Sequence, residues 1–179
     1  MIGFYVQQEG QKICFNPAKI NKVFIQYLSI IICTFLCMEL VANMMHRYVM
    51  HGSMWNFHED HHQKDIGFFE KNDVFFVIFA LPSMLLIMGG FFFSNLYAYA
   101  LGLGITIYGL CYFLVHDVYI HRRFKFLDNF SHPYLDGLRR AHKDHHSHIY
   151  KEDGENFGML WVPLKYYSRQ FRDSASCAI

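Results

Sequence analysis

The chain has 179 residues, a formal net charge of +1, and 17% charged residues against 53% hydrophobic ones. This length suits one domain, and the near-neutral charge excludes a strong positive field that would recruit nucleic acid. The charge content lies below the ~25% of soluble domains, and the 18% aromatic content, with 19 Phe and 12 Tyr, suits lipid or a greasy ligand. Five cysteines (Cys14, Cys33, Cys37, Cys111, Cys177) show no CxxC or zinc-finger spacing and read as small hydrophobes.

Residues 1–21 form a polar extension with a turn at Asn16-Pro17. It has no basic stretch ahead of a short apolar core, so a cleaved signal peptide is not expected. Residues 23–42 are the first apolar run, matching the ~20 helical residues that cross a hydrocarbon core. Glu39 interrupts it, and an acid in such a helix faces protein interior or water. It lies two turns before His46, on the same face. It either reaches water at the membrane boundary or accepts the free N–H of a ligand histidine.

The helix is expected to continue to about Met50, carrying His46 out of the lipid. Gly52 is the predicted stop, and Ser53 the predicted cap of a short helix through His62. Met54, Trp55, His58, His61 and His62 share a face of that helix. Residues 63–73 are a polar loop. Residues 74–115 then run 42 positions without Asp, Glu, Lys or Arg, about twice what one span needs. The expected solution is a hairpin of spans 74–93 and 96–115, turning near Gly89-Gly90 or Ser94-Asn95. Pro82 is a candidate kink, and Gly102, Gly104 and Gly109 permit close helix approach. A buried soluble hairpin is the competing reading, but so short a chain could scarcely cover that much apolar surface.

Three spans return the chain to the side where the first one ended. Thirteen of the sixteen Lys and Arg lie on that side, with Lys12, Lys19 and Lys22 on the other, so that side is expected to be cytosolic. Beyond His116 the helix is expected to run through His121. Pro133 then starts a helix to about His146, with Leu135, Leu138, His142, His145 and His146 on one face. Arg139, Arg140 and Lys143 either dock an acidic electron donor or touch anionic lipid. The apolar patch FGMLWVP, Phe157 to Pro163, lies along the membrane or covers the site. The expected fold is an all-α integral membrane protein, with about three transmembrane helices and a cytosolic cap from 44–72 and 116–170.

The cap carries the chemistry. Ten of the twelve histidines follow one grammar written twice: H-x4-H, a spacer, then H-x2-HH. The first copy is His46, His51, His58, His61 and His62; the second is His116, His121, His142, His145 and His146. His132 and His148 stand outside it. A single histidine is usually a core or surface residue, but ten converging imidazoles need something to accept their lone pairs. Ten are too many for one ion, and two ions with four to six ligands each fit the count. Imidazole suits Fe, Zn, Cu or Ni alike. His58-Glu59-Asp60-His61-His62 also reads H-E-x-x-H, a zinc-protease motif. The second copy has Lys143 in place of Glu59, which marks Glu59 as incidental.

These boxes, in this order and split by a charge-free hairpin, resemble the fatty acid hydroxylase/sterol desaturase superfamily of membrane di-iron oxygenases. The text around them is most similar to the branch of bacterial beta-carotene hydroxylases. It comprises MEL-VANMMHRYVMHG, HEDHH, KNDVFFVIFALPSMLLI, YGLCYFLVHDVYIHRR, AHKDHHSH and NFGMLWVP, about Met38 to Pro163. The resemblance implies an O2-dependent monooxygenase that binds two Fe ions through the ten histidines, with zinc able to replace iron in purified protein. It implies a carotenoid substrate, a lipid bilayer, a ferredoxin-like or other electron donor, and a bacterial inner-membrane location. Glu39, Asp60, Asn72, Asp73, Asp117 and Asp144 are the candidates to orient the ligands. A fatty acyl or sterol hydroxylase of the same superfamily and a non-enzymatic membrane metal binder are the alternatives.

Overall fold

The computed structural model describes residues 4–8, 11–15, 17–63, 68–127, 129–151 and 154–168. It begins with an antiparallel hairpin, β1 (Phe4–Gln8) and β2 (Gln11–Phe15), in which Phe4 pairs with Phe15 and Gln8 with Gln11. No element was expected in this polar extension. Its Phe, Tyr, Val and Ile favour strands, and a two-residue link ending in Gly10 is a hairpin signal that a search for apolar runs passes over. Among the described residues, the other regular elements are helical. Cys177 and residues 169–170 of the expected cap lie outside the described residues.

Helix α1 (Pro17–Met44) starts at a proline, which its missing N–H allows at a first turn, and begins ahead of the expected span. It continues as a π-helix, Met45–Ser53, broken at Gly52 (φ −111°, ψ −113°). Helix α2 (Trp55–His62) follows, but Ser53 does not cap it: Met54 takes the cap position with no side-chain bond. A 3-10 turn at Lys71–Asp73 leads into α3 (Val74–Phe92), which runs through Pro82. The hairpin turns at Ser94-Asn95. Ser94 is left-handed (φ 52°), and Asn95 Oδ1 accepts the N–H groups of Tyr97 and Ala98. Helix α4 (Leu96–Phe113) continues as a second π-helix, Leu114–Ile120, and α5 is Pro133–Ser147. Segments Ala18–Ser53, Lys71–Phe92 and Leu96–Ile120 are long and apolar enough to cross a membrane.

Helix α4 is the middle of the three. Small residues let its backbone close on both neighbours. A Cβ on Gly102 would stand 2.7 Å from Ile87 Cγ1 of α3, and one on Gly104 would stand 2.6 Å from Thr34 Cβ of α1. Gly109, expected to serve the same end, faces open space. Gly90 lies inside α3 and admits Tyr99, whose nitrogen is 2.5 Å from where its Cβ would be. Gln26 Nε2 donates to Tyr97 Oη (2.9 Å) and Tyr108 Oη donates to Glu39 Oε2 (2.8 Å). These pairs, 71 and 69 residues apart, show α1 and α4 running parallel toward the histidines. Beyond them, α5 packs through Leu138 and Ala141 onto Val162 and Tyr166 of the C-terminal segment.

Candidate metal centre

Each H-x4-H box lies in a π-helical turn. In an α-helix, side chains five apart diverge by about 140°. The i→i+5 bond of a π-helix brings them one above the other. His121 N–H donates to the His116 carbonyl (2.9 Å), and Met54 N–H to the Val49 carbonyl (2.8 Å). The rings of His46 and His51 consequently meet with centroids 5.2 Å apart, and those of His116 and His121 at 4.5 Å. The H-x2-HH boxes lie at the ends of α2 and α5, where ordinary i, i+3 and i+4 spacing gathers them.

Two groups of side chains result that could each hold a metal ion. His46, His51, His58, His62 and His145 offer ligand atoms all within 4.8 Å of one another, as do His61, His121, His142 and His146. His116 stands at the edge of the second group, its Nε2 3.0 Å from His61 Nε2. The copies are therefore not self-contained: His145 joins the first group and His61 the second.

The hydrogen bonds of the outer ring nitrogens decide what the inner ones are. His46 Nδ1–H donates to the Phe157 carbonyl (3.1 Å), His51 Nδ1–H to that of Lys151 (3.3 Å) and His145 Nδ1–H to that of Glu155 (2.6 Å). His58 Nδ1–H donates to Asn72 Oδ1 (2.7 Å), His61 Nδ1–H to Glu70 Oε2 (2.7 Å) and His116 Nδ1–H to Asp117 Oδ2 (3.2 Å). With the proton on Nδ1, each neutral ring presents a bare lone pair at Nε2. Yet Nε2 atoms face each other in three such pairs: His46 with His58 (3.1 Å), His51 with His145 (3.1 Å) and His61 with His116 (3.0 Å). Opposed lone pairs at that distance repel unless a cation sits between them. Ligands about 90° apart at the ~2.1 Å of a metal–imidazole bond would be ~3.0 Å apart, against ~3.4 Å for a tetrahedron. The residues thus fit six-coordinate or five-coordinate ions with nitrogen ligands, and His146 adds a buried Nε2 with no hydrogen-bond partner.

The family model for fatty acid hydroxylases matches residues 31–165. The chain belongs to the fatty acid hydroxylase family. It is similar to a beta-carotene hydroxylase of Pantoea ananas, 40% identical over 135 residues, covering 75% of this chain and 76% of that protein. A beta-carotene hydroxylase of Paracoccus sp. (strain PC1) is 37% identical over 136 residues, 75% of this chain and 83% of its own. The chloroplastic beta-carotene hydroxylase 2 of Capsicum annuum is 36% identical over 163 residues; the match covers 89% of this chain but half the length of the pepper protein, 50%. No solved structure matches.

In this chain, two of the six candidate orienting residues bond the ring of a box histidine: Asn72 and Asp117. Glu39 does not; its Oε1 accepts the backbone N–H groups of Met159, Leu160 and Trp161. Asp73 instead receives Arg123 (2.8 Å), which also bonds Asp117 (2.8 Å). Asp60 accepts Lys71 N–H (2.7 Å), and Asp144 accepts Tyr166 Oη–H (2.5 Å). These four are near the boxes in sequence but hold the cap together. Glu70, unforeseen, was legible only as an acid in the polar loop. The three backbone carbonyls carry no side-chain signal at all. Arg139 and Arg140 donate to the carbonyls of Tyr119 and Tyr166 (2.7 Å each), which leaves Lys143 the exposed cation of that trio. The FGMLWVP patch covers the site: the Phe157 ring lies 5.4 Å from His46 and 5.1 Å from His51, while Trp161 points outward.

Burial sets the protonation of the cap histidines. It holds His58, His62 and His145 down to about 3 and His121 to about 2, and keeps His61, His142 and His146 well below the ordinary range. Neighbouring imidazoles add to the effect, since each disfavours a second positive charge nearby. Near neutral pH these rings are uncharged ligands with free lone pairs. Glu59 is exposed.

Proposed function

We propose that this chain is a membrane di-iron monooxygenase that hydroxylates the 3-position of beta-ionone rings, taking beta-carotene through cryptoxanthin to zeaxanthin. The opposed Nε2 lone pairs carry the metal half of this reading, and the names of the relatives support the substrate half. When bound, two irons supply the activation of dioxygen that a non-acidic ring C–H requires and no side-chain base can replace. The ten histidines would hold the pair, and carbonyl, amide and carboxylate oxygens fix the tautomers of six of them. One oxygen atom enters the ring and the other leaves as water, so two electrons and two protons come from outside, through a ferredoxin-like donor.

A carotene dissolved in lipid reaches the site from the membrane side. The buried Phe75 ring stands 6.4 Å from His58 and the Tyr112 ring 5.1 Å from His116, aromatic surface between the spans and the histidines. The excess of Lys and Arg beside the histidines supports a cytosolic site in a bacterial inner membrane.

Expression in a beta-carotene-producing host tests the reading. Zeaxanthin is expected in the extract, and His58→Ala is expected to abolish it while membrane insertion persists. Hydroxylated fatty acids or sterols, with no new hydroxycarotenoid, would replace the substrate assignment. Iron-replete protein is expected to carry about two ions per chain; a stoichiometry near one refutes the pair.

A further inference from the structure

The Glu39 carboxylate lies in the first membrane helix with no cationic partner among the described residues. Four donors satisfy it instead. Oε1 accepts the consecutive N–H groups of Met159, Leu160 and Trp161 at 2.9, 3.0 and 3.1 Å, and Oε2 accepts Tyr108 Oη–H at 2.8 Å. Successive backbone N–H groups turned to one point form an anion cradle. Gly158 makes room for it: a Cβ there would stand 2.7 Å from the Trp161 carbonyl and 3.1 Å from Glu39 Oε1. The preceding residue, Phe157, gives its carbonyl to His46 Nδ1–H, and its ring packs on His46, His51 and His145. One further back, Asn156 is left-handed (φ 59°), a conformation asparagine tolerates, and the Glu155 carbonyl turns to His145. Two turns apart on one face of the same helix, Glu39 and His46 thus grip the same few residues of the C-terminal segment. Among the described residues the second group has no such strap; Glu70 and Asp117 hold its rings directly.

We propose that Glu39 is a positioning residue for the first group alone: by holding the Met159–Trp161 backbone it fixes the Phe157 and Glu155 carbonyls that keep His46 and His145 as Nδ1–H tautomers with Nε2 aimed inward. This rests on the two-metal reading above, but its test does not use turnover.

Cobalt(II) is the probe. The full chain, purified metal-free in detergent, is titrated with cobalt(II) against a competing chelator, and the ligand-field absorption is followed. The wild type is expected to fill in two steps. In Glu39→Ala, one step is expected to weaken by about 10–100-fold, the usual effect of losing an outer hydrogen-bond partner of a ligand, with an altered spectrum for that step. The other step stays put. Glu39→Gln keeps the shape and an acceptor oxygen and is expected to fall between the two; it decides the matter if the alanine variant does not insert. Both steps unshifted, or both shifted equally, overturns the proposal. A wild type that binds no cobalt overturns the two-metal reading itself.

Discussion

Six histidines owe the direction of their rings to oxygens of other residues, all outside the boxes but Asp117, and the chemistry of those oxygens differs between the groups. The first group leans on three backbone carbonyls and Asn72; the second leans on Glu70 and Asp117. Removing Glu70 leaves His61 free to take the other tautomer and turn a proton toward the metal position. Glu70→Ala is therefore expected to weaken metal binding at the second group by about 10–100-fold, read by the same cobalt titration. Glu59→Ala, on an exposed face, should leave product yield and metal content near wild type; a large loss would revive the protease-like role of H-E-x-x-H. The histidine cluster was legible because ten imidazoles in a repeated pattern have few uses other than metal. Of the groups that bond the rings, Asn72 and Asp117 were legible and Glu70 and three peptide carbonyls were not, while Asp60, Asp73 and Asp144, near the boxes in sequence, bond elsewhere.

At the scale of elements, hydropathy marked the three helices, and the strand pair at the N-terminus escaped because its apolar residues come in two runs of only three, Phe4 to Val6 and Ile13 to Phe15. The π-turns were legible as helix but not as π. Nothing in residue type distinguishes them, although the five-residue spacing of the histidines makes sense only there. Glycines on α4 illustrate a further limit. Spacing says that they are small, and packing alone says which faces a neighbour. Gly104→Ala is expected to push α4 off α1 against Thr34 Cβ and the Ile31 carbonyl, costing about 1–3 kcal/mol. Gly109→Ala, with open space beside it, should be neutral or slightly stabilising. Denaturation curves in mixed micelles compare the two.

For the whole molecule, the buried neutral histidines tie stability to pH. The pKa values of His58, His62 and His145 lie near 3 in the folded chain while the unfolded chain titrates near 6.5, so between those limits the unfolded state binds more protons. Stability then rises with pH, and the metal-free protein loses it as pH falls from about 6.5 toward 3. Each fully responding histidine contributes up to about 1.4 kcal/mol per pH unit. Thermal melts of chelator-treated protein at pH 7.5 and 5.5 are expected to show a lower midpoint at 5.5, and a flat profile would mean that the rings are already charged or exposed. Bound metal competes for the same lone pairs and should deepen the dependence.

The exchange of His61 and His145 between the groups reaches further than either ligand set. They are equivalent positions, the middle histidine of each H-x2-HH, and each sits in the group formed mainly by the other copy. His62 and His146, also equivalent, stack face to face at 4.5 Å. Contacts in which i meets j and j meets i are those of a two-fold, isologous interface, here folded into one polypeptide. Neither half-chain can close its own pocket, and a lesion in one half appears in the other. His61→Ala is expected to empty the pocket built mainly by the C-terminal half, and His145→Ala the one built mainly by the N-terminal half.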